Sequence, residues 1–192
     1  MCLLSTAWAD PPLVDARELL AANQPRAQRW WWTWVGTFGA LTVGQGVLAA
    51  TTTDPDVRVV DLIGAASSGI GVANLLVSPY PGRHARADLA SIGDDEAALL
   101  DLFERTAQAE RFQTGWLAHA GGLVVSAAPA VLIWAVYDQP ETATLNLVGG
   151  VALSEAQILT SPRHVLRAWR TREGLSARVL PTHDGLLVVG RF

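Results

Sequence analysis

The sequence predicts an all-α membrane protein with four transmembrane helices arranged as two antiparallel hairpins. Half of its 192 residues are hydrophobic and 17% are charged, against roughly 25% charged in ordinary soluble domains. The charged residues are concentrated in a few blocks, which leaves long stretches almost free of charge. Tryptophan and tyrosine residues cluster near the ends of these stretches, as is typical of membrane-spanning helices.

Four apolar stretches within residues 29–161 carry this prediction, at about 30–50, 59–78, 113–137 and 142–161. A helix rises about 1.5 Å per residue, so about 20 apolar residues cross the hydrocarbon core of a bilayer. The fourth stretch is the least apolar because it contains a glutamate. A soluble four-helix bundle is the alternative, but its helices would carry a polar face, which the first three stretches lack.

Small and aromatic residues support the same architecture. Small residues four positions apart, such as Gly64 with Ser68 and Ala118 with Gly122, allow helix backbones to approach closely in lipid. Tryptophan prefers the headgroup level, because its ring is apolar and its N–H can donate a hydrogen bond. We therefore expect interface anchors at Trp30, Trp31, Trp34, Trp116, Trp134 and Trp169.

The segments before and between the stretches have local signals of their own. Residues 1–28 contain a short helix signal that we expect Pro25 to end, and residues 1–9 resemble the end of a signal peptide. Between the second and third stretches, the sequence predicts irregular structure from Pro79 and then an amphipathic helix at about 94–111. We expect this helix to lie at the membrane surface or to run directly into the third span.

The C-terminal residues 162–192 read as a basic flank followed by a β-like tail. The flank fits a stop-transfer segment that fixes orientation, or an interfacial helix on anionic headgroups. In the tail, Asp184 and Gly185 separate two apolar segments, which predicts a β-hairpin. Because a lone hairpin is marginal in water, we expect it to pack on the protein body or on a partner.

The arginine distribution predicts the orientation. Both terminal flanks and the long middle connection are rich in arginine, whereas the two short loops contribute only Arg58. The positive-inside rule then places both termini in the cytoplasm. If a cleaved signal peptide begins upstream, the termini lie in the periplasm instead. The layout resembles small four-helix envelope proteins of Gram-negative bacteria, which implies the bacterial inner membrane and no particular activity.

Ionisable residues inside the predicted spans are the candidate site. Such residues are costly in lipid and are a functional hypothesis by default. Glu155 in the fourth span and His119 in the third lie about 9 Å from the same face, because the two helices are antiparallel. We expect a hydrogen bond between them, with Asn74 and Gln157 near the same level. The set is either a clamp between helices or a polar site for protons or a small ligand such as a quinone.

The remaining signals exclude several kinds of chemistry. The sequence contains no Walker loop, no H-E-x-x-H and no G-x-S-x-G motif. The histidines at 84, 119 and 164 lie on different segments without ligand spacing, so we predict no metal and no cofactor. The single cysteine, Cys2, excludes an internal disulfide, and a net charge of -4 does not suggest a nucleic-acid partner.

The leading functional hypothesis is a non-enzymatic scaffold or accessory subunit of an envelope complex. Its partners would be the lipid bilayer and a protein partner or second copy, bound through small-residue helix faces and the tail 174–192. The alternative is a small transport or redox subunit, linked to protons or quinone, that uses Glu155 and His119.

Overall fold

The computed structural model describes residues 13–174, 178–182 and 185–189, and these are almost entirely helical. The elements are α1 (Leu13–Thr51), α2 (Pro55–Val77), a 3-10 turn (Pro81–His84), α3 (Ala85–Ile92), α4 (Glu96–Gln113), α5 (Trp116–Tyr137), α6 (Pro140–Thr160), α7 (His164–Gly174), β1 (Arg178–Thr182) and β2 (Gly185–Val189). The two strands pair antiparallel, with Arg178 opposite Val189. The signal-like residues 1–9, Cys2 among them, lie outside the described residues.

Four long helical segments form two hairpins, in which α1 packs along α2 and α5 along α6. Helices α2, α5 and α6 contain 23, 22 and 21 residues. Each is therefore about 32–35 Å long, which matches the thickness of a bilayer core. Helix α1 has 39 residues, so it extends well beyond the other three at its N-terminal end.

Two of the described helices, α2 and α5, are long and apolar enough to cross a membrane. This criterion uses length and composition alone. Helix α6 is long enough but contains Glu155, and the second half of α1 is rich in tryptophan, glycine and threonine, which are less apolar than leucine or valine. The prediction of four spans is therefore supported by composition for α2 and α5, and for α1 and α6 it stays a prediction.

The prediction that Pro25 ends a short first helix is wrong, because α1 continues through it. A proline inside a helix removes one backbone hydrogen bond and costs about 3 kcal/mol. Buried side chains hold α1 in place on both sides of the proline: Leu20 and Asn23 before it, Ala27 and Trp30 after it. Their packing outweighs the local cost, so residues 13–28 and the first apolar stretch form one helix.

The middle connection is more ordered than its sequence predicts. The irregular segment expected after Pro79 contains the 3-10 turn and α3. Helix α3 ends at Gly93, whose φ of 59° is a left-handed conformation that glycine adopts at little cost. Asp95 then caps α4 by accepting hydrogen bonds from the backbone N–H groups of Ala97 and Ala98, at 2.9 and 3.0 Å. The amphipathic helix predicted at 94–111 is thus confirmed as α4.

The apolar face of α4 is buried in protein and so does not rest on a membrane surface, whereas the alternative, that the helix runs directly into the third apolar stretch, agrees with the two residues between α4 and α5. It packs against residues 13–29 of α1, against α3 and against α7. These elements, with the 3-10 turn, form a compact unit that we call the helical head. Its core consists of Ala16, Leu20, Ala85, Leu99, Leu102, Phe103, Ala107 and Val165. The basic flank at 163–172 is accordingly a helix, α7, that packs on the protein.

Small residues bring α5 and α6 close together. A Cβ atom added at Gly122 would lie 3.0 Å from the Cβ of Ser154, and one added at Gly150 would lie 3.0 Å from the Cβ of Ser126. The interface therefore contains two glycine–serine contacts. In one the glycine belongs to α5, and in the other it belongs to α6. Neighbouring Gly121 faces open space instead.

Glycines also allow close contact between α1 and α2, where they face the larger side chains of glutamine and phenylalanine. A Cβ atom at Gly64 would meet the amide of Gln45, and one at Gly71 would meet the ring of Phe38 at 3.0 Å. Ser68 donates a long hydrogen bond of 3.5 Å to the same Gln45 side chain. The predicted close approach of helices at Gly64, Ser68 and Gly122 is therefore confirmed.

We expect Gly122→Val to destabilise the protein by about 1–3 kcal/mol, because the added methyl groups overlap Ser154 on α6. Gly121→Val is the matched control, since it makes the same change one residue away in open space. Thermal unfolding in detergent micelles measures both. Equal losses in melting temperature for the two variants would contradict the close packing of α5 on α6.

Candidate functional site

His119 and Glu155 meet at the interface of α5 and α6. The Nδ1 atom of His119 lies 2.8 Å from Oε1 and 2.9 Å from Oε2 of Glu155, so the hydrogen bond expected from the sequence is present. Helix α5 begins at Trp116 and α6 ends at Thr160, which places the two side chains roughly 5 and 8 Å from these helix ends. They are 41% and 37% exposed. The pair thus lies closer to the helix ends than the predicted depth of about 9 Å.

The other two members of the predicted polar site do not join this pair. The Asn74 side chain is exposed on α2. Gln157 is half-buried, and its backbone carbonyl accepts a hydrogen bond from the indole of Trp30. Among the described residues, no group of three or more His, Cys, Asp or Glu side chains lies close enough to hold a metal ion. The candidate site is therefore a pair, in which His119 and Glu155 can share one proton.

A second arrangement, at the same end of the helices, uses three of the predicted tryptophan anchors. Trp30, Trp31 and Trp34 are all buried. Their indole N–H groups donate to the carbonyl of Gln157 at 3.2 Å, to the carbonyl of Leu75 at 2.9 Å and to the Thr160 hydroxyl at 3.2 Å, respectively.

These three tryptophans are buried against protein, so their hydrogen bonds fix the positions of helices, and their role as interface anchors stays a prediction. The carbonyls of Leu75 and Gln157 belong to the last turns of α2 and α6, where helical carbonyls lack backbone partners within the helix. The Gln157 carbonyl also accepts the Thr160 hydroxyl at 3.2 Å. The tryptophans satisfy two of them and thereby tie α1 to both helix ends. Trp116 and Trp134 remain exposed, at 75% and 60%, and their role as anchors stays a prediction.

Trp169 belongs to the helical head. It lies on α7, and its ring centroid is 5.6 Å from that of Phe103 on α4. The ring is half-buried beside the head core. It therefore contributes to the packing of α7 on α4 in addition to any contact with a membrane surface.

A buried glutamate at the centre of the head is the feature that the sequence reasoning missed. Glu110 on α4 is fully buried. Its Oε1 atom accepts hydrogen bonds from the Tyr80 hydroxyl at 2.6 Å and from the Asn23 amide at 3.1 Å. Its Oε2 atom accepts the backbone N–H of Leu166, in the first turn of α7, at 2.7 Å. One carboxylate thus joins α1, the middle connection, α4 and α7.

In the part of the chain that the structure describes, the hydrogen-bond partners of the Glu110 carboxyl are neutral donors and include no arginine. Three donors converge on two oxygens, and charge-assisted hydrogen bonds of this kind are about twice as strong as neutral ones. The N-terminal end of α7 adds a favourable dipole. Burial, together with the nearby charge of Glu110, raises the pKa of the Tyr80 hydroxyl far above its usual range. Tyr80 therefore remains a hydrogen-bond donor at physiological pH.

The sequence does contain a signal for this network. Leu99, Phe103, Thr106 and Glu110 follow one another at helical spacing, so the glutamate continues the apolar stripe of α4. A carboxylate on such a stripe is either exposed at its edge or buried with partners. Nothing local identifies the partners, because Asn23 and Tyr80 are distant in the sequence.

Comparisons with known proteins return no relative for this chain. No protein-family model matches it, and no curated protein or solved structure is significantly similar to it. The basis for a functional assignment is therefore the chemistry and the placement of its own residues.

We expect Glu110→Gln to lower the free energy of unfolding by about 1–3 kcal/mol. The new amide presents one acceptor and one donor group, so it must leave either the Tyr80 side or the Leu166 N–H without an acceptor. Glu104→Gln on the exposed side of α4 is the matched control. Thermal unfolding and trypsin cleavage at the α7 arginines measure the effect. If both variants behave like the unmodified protein, Glu110 does not hold the head together.

Proposed function

We propose that this chain is an integral membrane protein in which the second half of α1, α2, α5 and α6 cross the bilayer. The observation that carries the proposal is the position of the exposed large apolar side chains. All of them except Phe112 lie on these four segments. They include Val43, Val47, Leu62, Ile70, Leu123, Val124, Val131, Val136, Leu145 and Val148.

The helical head has the opposite pattern, which makes this distribution informative. Apart from Phe112 at the end of α4, its large apolar side chains are buried or partly buried, and its exposed positions on α4 include Asp101, Glu104 and Arg105. Soluble monomers rarely expose contiguous apolar patches larger than a few hundred Å². The exposed apolar side chains that surround the four long helical segments are suited to contact with lipid. The charged surface of the head is suited to contact with water.

The ends of the helices favour two boundary planes. On the side of the head, α2 ends at Val77, α5 begins at Trp116 and α6 ends at Thr160. The buried tryptophans of α1 are hydrogen-bonded at this level. On the other side lie the loops after Thr51 and Tyr137. Segments of 21 to 23 residues between the planes match the hydrocarbon core.

Arginine supports a cytoplasmic head in the bacterial inner membrane. The head side carries the arginines of the long connection and of α7, whereas Arg58 is the arginine on the side of the short loops. The positive-inside rule then places the head in the cytoplasm. Cleavage of an upstream signal peptide would reverse this orientation and place the head in the periplasm.

Within this architecture, we propose that the protein is a scaffold or accessory subunit of an envelope complex. Strands β1 and β2 form a two-stranded sheet in the described part of the chain, and such a sheet has two edges to which another strand can pair. Glycines 36 and 39 on α1 and Gly149 on α6 face open space, which suits close contact with another helix in lipid. A partner protein or a second copy would occupy these surfaces.

The hydrogen bond between His119 and Glu155 favours a second candidate function, a proton-linked transport or redox subunit. A relay across the bilayer needs further groups that exchange protons. Between the level of this pair and Asp61 near the opposite boundary, the four segments contain no ionisable residue over roughly 15 Å. A structural clamp between α5 and α6 requires only the pair itself, so the scaffold is the better-supported function.

The membrane topology is testable with single cysteines in a Cys2→Ser background. Thr53 lies exposed in the loop between α1 and α2, and Arg170 lies exposed on α7. We expect a membrane-impermeant maleimide to label Thr53→Cys in spheroplasts and to label Arg170→Cys only after the membrane is opened. The reverse pattern would place the head outside. Labelling of both positions in spheroplasts, or a monomer folded in buffer without detergent, would contradict the membrane proposal.

The two functions are separable through the His119 and Glu155 side chains. If they form a clamp, His119→Ala and Glu155→Gln each lower stability by about 0.6–2 kcal/mol, and the double variant loses little more than either single one. Proton flux into proteoliposomes that contain a trapped pH dye then stays at the background level for all variants. A flux that the unmodified protein supports and both variants lose would contradict the scaffold and establish the relay.

The scaffold function has its own test in solubilised membranes. We expect the full chain to migrate in a high-mass complex on native gels, and deletion of residues 175–192 to release it as a smaller species. His119→Ala is the control, because it changes the spans and leaves the tail intact. A full chain that already migrates as a monomer would contradict the scaffold proposal.

A further inference from the structure

A cleft with basic walls lies where α1, the end of α6 and the start of α7 meet. It has a volume of about 260 Å³ and is lined by Arg26, Leu159, Thr160, Ser161, Pro162, Arg163, His164 and Arg167. Three separate elements contribute its three arginines: α1, the connection after α6, and α7. No aspartate or glutamate is among these lining residues.

The arginines of the cleft retain unused capacity to donate hydrogen bonds. Arg26 and Arg167 are exposed, and the ion pairs found among the described residues involve neither of them nor Arg163. Arg163 donates one hydrogen bond, to the carbonyl of Ile158 at 3.3 Å, while its buried Nε–H group has no acceptor. Arg26 donates one hydrogen bond, to the Ala22 carbonyl at 3.4 Å. Three guanidinium groups around one cleft, with no carboxylate among its lining residues, favour a bound anion.

The position of the cleft indicates where that anion comes from. The cleft lies at the end of α6, at the level of the boundary plane on the side of the head. Leu159, an apolar wall residue, is 65% exposed on the side of the spans, whereas Arg163 and Arg167 lie toward the head. An amphiphile with a negatively charged phosphate and an apolar chain matches this polarity.

We propose that this cleft binds the phosphate group of an anionic phospholipid, an inference that rests on the proposed membrane insertion. The planar guanidinium groups donate paired hydrogen bonds to phosphate oxygens, which is why arginine is favoured at such sites. Basic pockets between helices at the cytoplasmic face are a recurrent mode of lipid headgroup binding. The volume is below the roughly 300–1,000 Å³ of typical small-molecule pockets, which suits a single phosphate with part of its glycerol.

The bound lipid would connect the two parts of the protein. Arg26 belongs to α1, Arg163 to the connection after α6, and Arg167 to α7, so one phosphate would be held by the first hairpin, the second hairpin and the head. The inner side of α7 is already fixed by Glu110 through the N–H of Leu166. The lipid would fix α7 from the side that faces the membrane.

The test measures binding of dioctanoyl-phosphatidylglycerol to the full-length protein in a neutral detergent. Dioctanoyl-phosphatidylcholine and inorganic phosphate are titrated separately. We expect phosphatidylglycerol to bind at least tenfold more tightly than either of these. The double variant Arg26→Gln/Arg167→Gln should lose at least tenfold of this affinity. The control Arg86→Gln/Arg170→Gln removes the same charge from exposed positions outside the cleft and should change it less than twofold.

Four results would overturn the proposal. Inorganic phosphate that competes at equal affinity would identify a site for free phosphate. Equal losses of phosphatidylglycerol affinity in the two double variants would show that binding depends on overall surface charge and not on the cleft. Equal affinity for phosphatidylglycerol and phosphatidylcholine would refute the lipid site. If the same protein also folds in phosphatidylcholine nanodiscs, membrane insertion remains supported. A protein that does not enter nanodiscs of either composition would refute the membrane proposal itself.

Discussion

The carbonyl groups at the ends of α2 and α6, which lack backbone donors within their helices, are the constraint on which the arrangement of this protein depends. A helix that ends inside a protein leaves its last carbonyls without internal partners, and burial makes this costly. Here the indoles of Trp30 and Trp31 donate to the carbonyls of Gln157 and Leu75. Because both tryptophans lie on α1, one helix holds the ends of two others at a common level. The boundary between the two helical hairpins and the head is therefore built from specific hydrogen bonds in addition to apolar packing.

Above this level, Glu110 performs a comparable task for the head. A buried carboxylate is tolerated only when its hydrogen bonds are satisfied, and Glu110 obtains its donors from three other elements. The requirement to satisfy one charge thus specifies the positions of α1, Tyr80 and α7 together. A purely apolar core of leucines and alanines would hold these helices with less specificity, because apolar contacts have no preferred direction.

The polar features considered for function lie at this same end of the protein. The pair of His119 and Glu155 is within roughly 5 to 8 Å of the helix ends on the side of the head, and the arginine cleft opens beside the end of α6. The opposite end of the bundle carries two short loops with one arginine, Arg58, and the acidic residues Asp54, Asp56, Asp61, Asp138 and Glu141. This asymmetry is consistent with the proposed scaffold, which would have a single surface for assembly.

Local signals in the sequence determined several features of this protein. Asp54 and Asp95 begin α2 and α4 because their carboxylates cap helix N-termini within a few residues of themselves. The short loop between α5 and α6 determined that these helices are antiparallel neighbours, and that depth matching could bring His119 to Glu155. These inferences needed only distances along the chain.

The tertiary structure alone decided the features that depend on distant partners. Pro25 lies inside α1 because packing on both sides of it exceeds a local cost of about 3 kcal/mol. The tryptophans at 30, 31 and 34 are core residues because the ends of α2 and α6 supply acceptors for them. Glu110 can be buried because three donors reach its carboxylate in the folded chain, although they lie 30, 56 and 87 residues away in the sequence. The sequence shows which residues are apolar or charged, but only folding brings together the groups that satisfy a buried charge or an unpaired carbonyl.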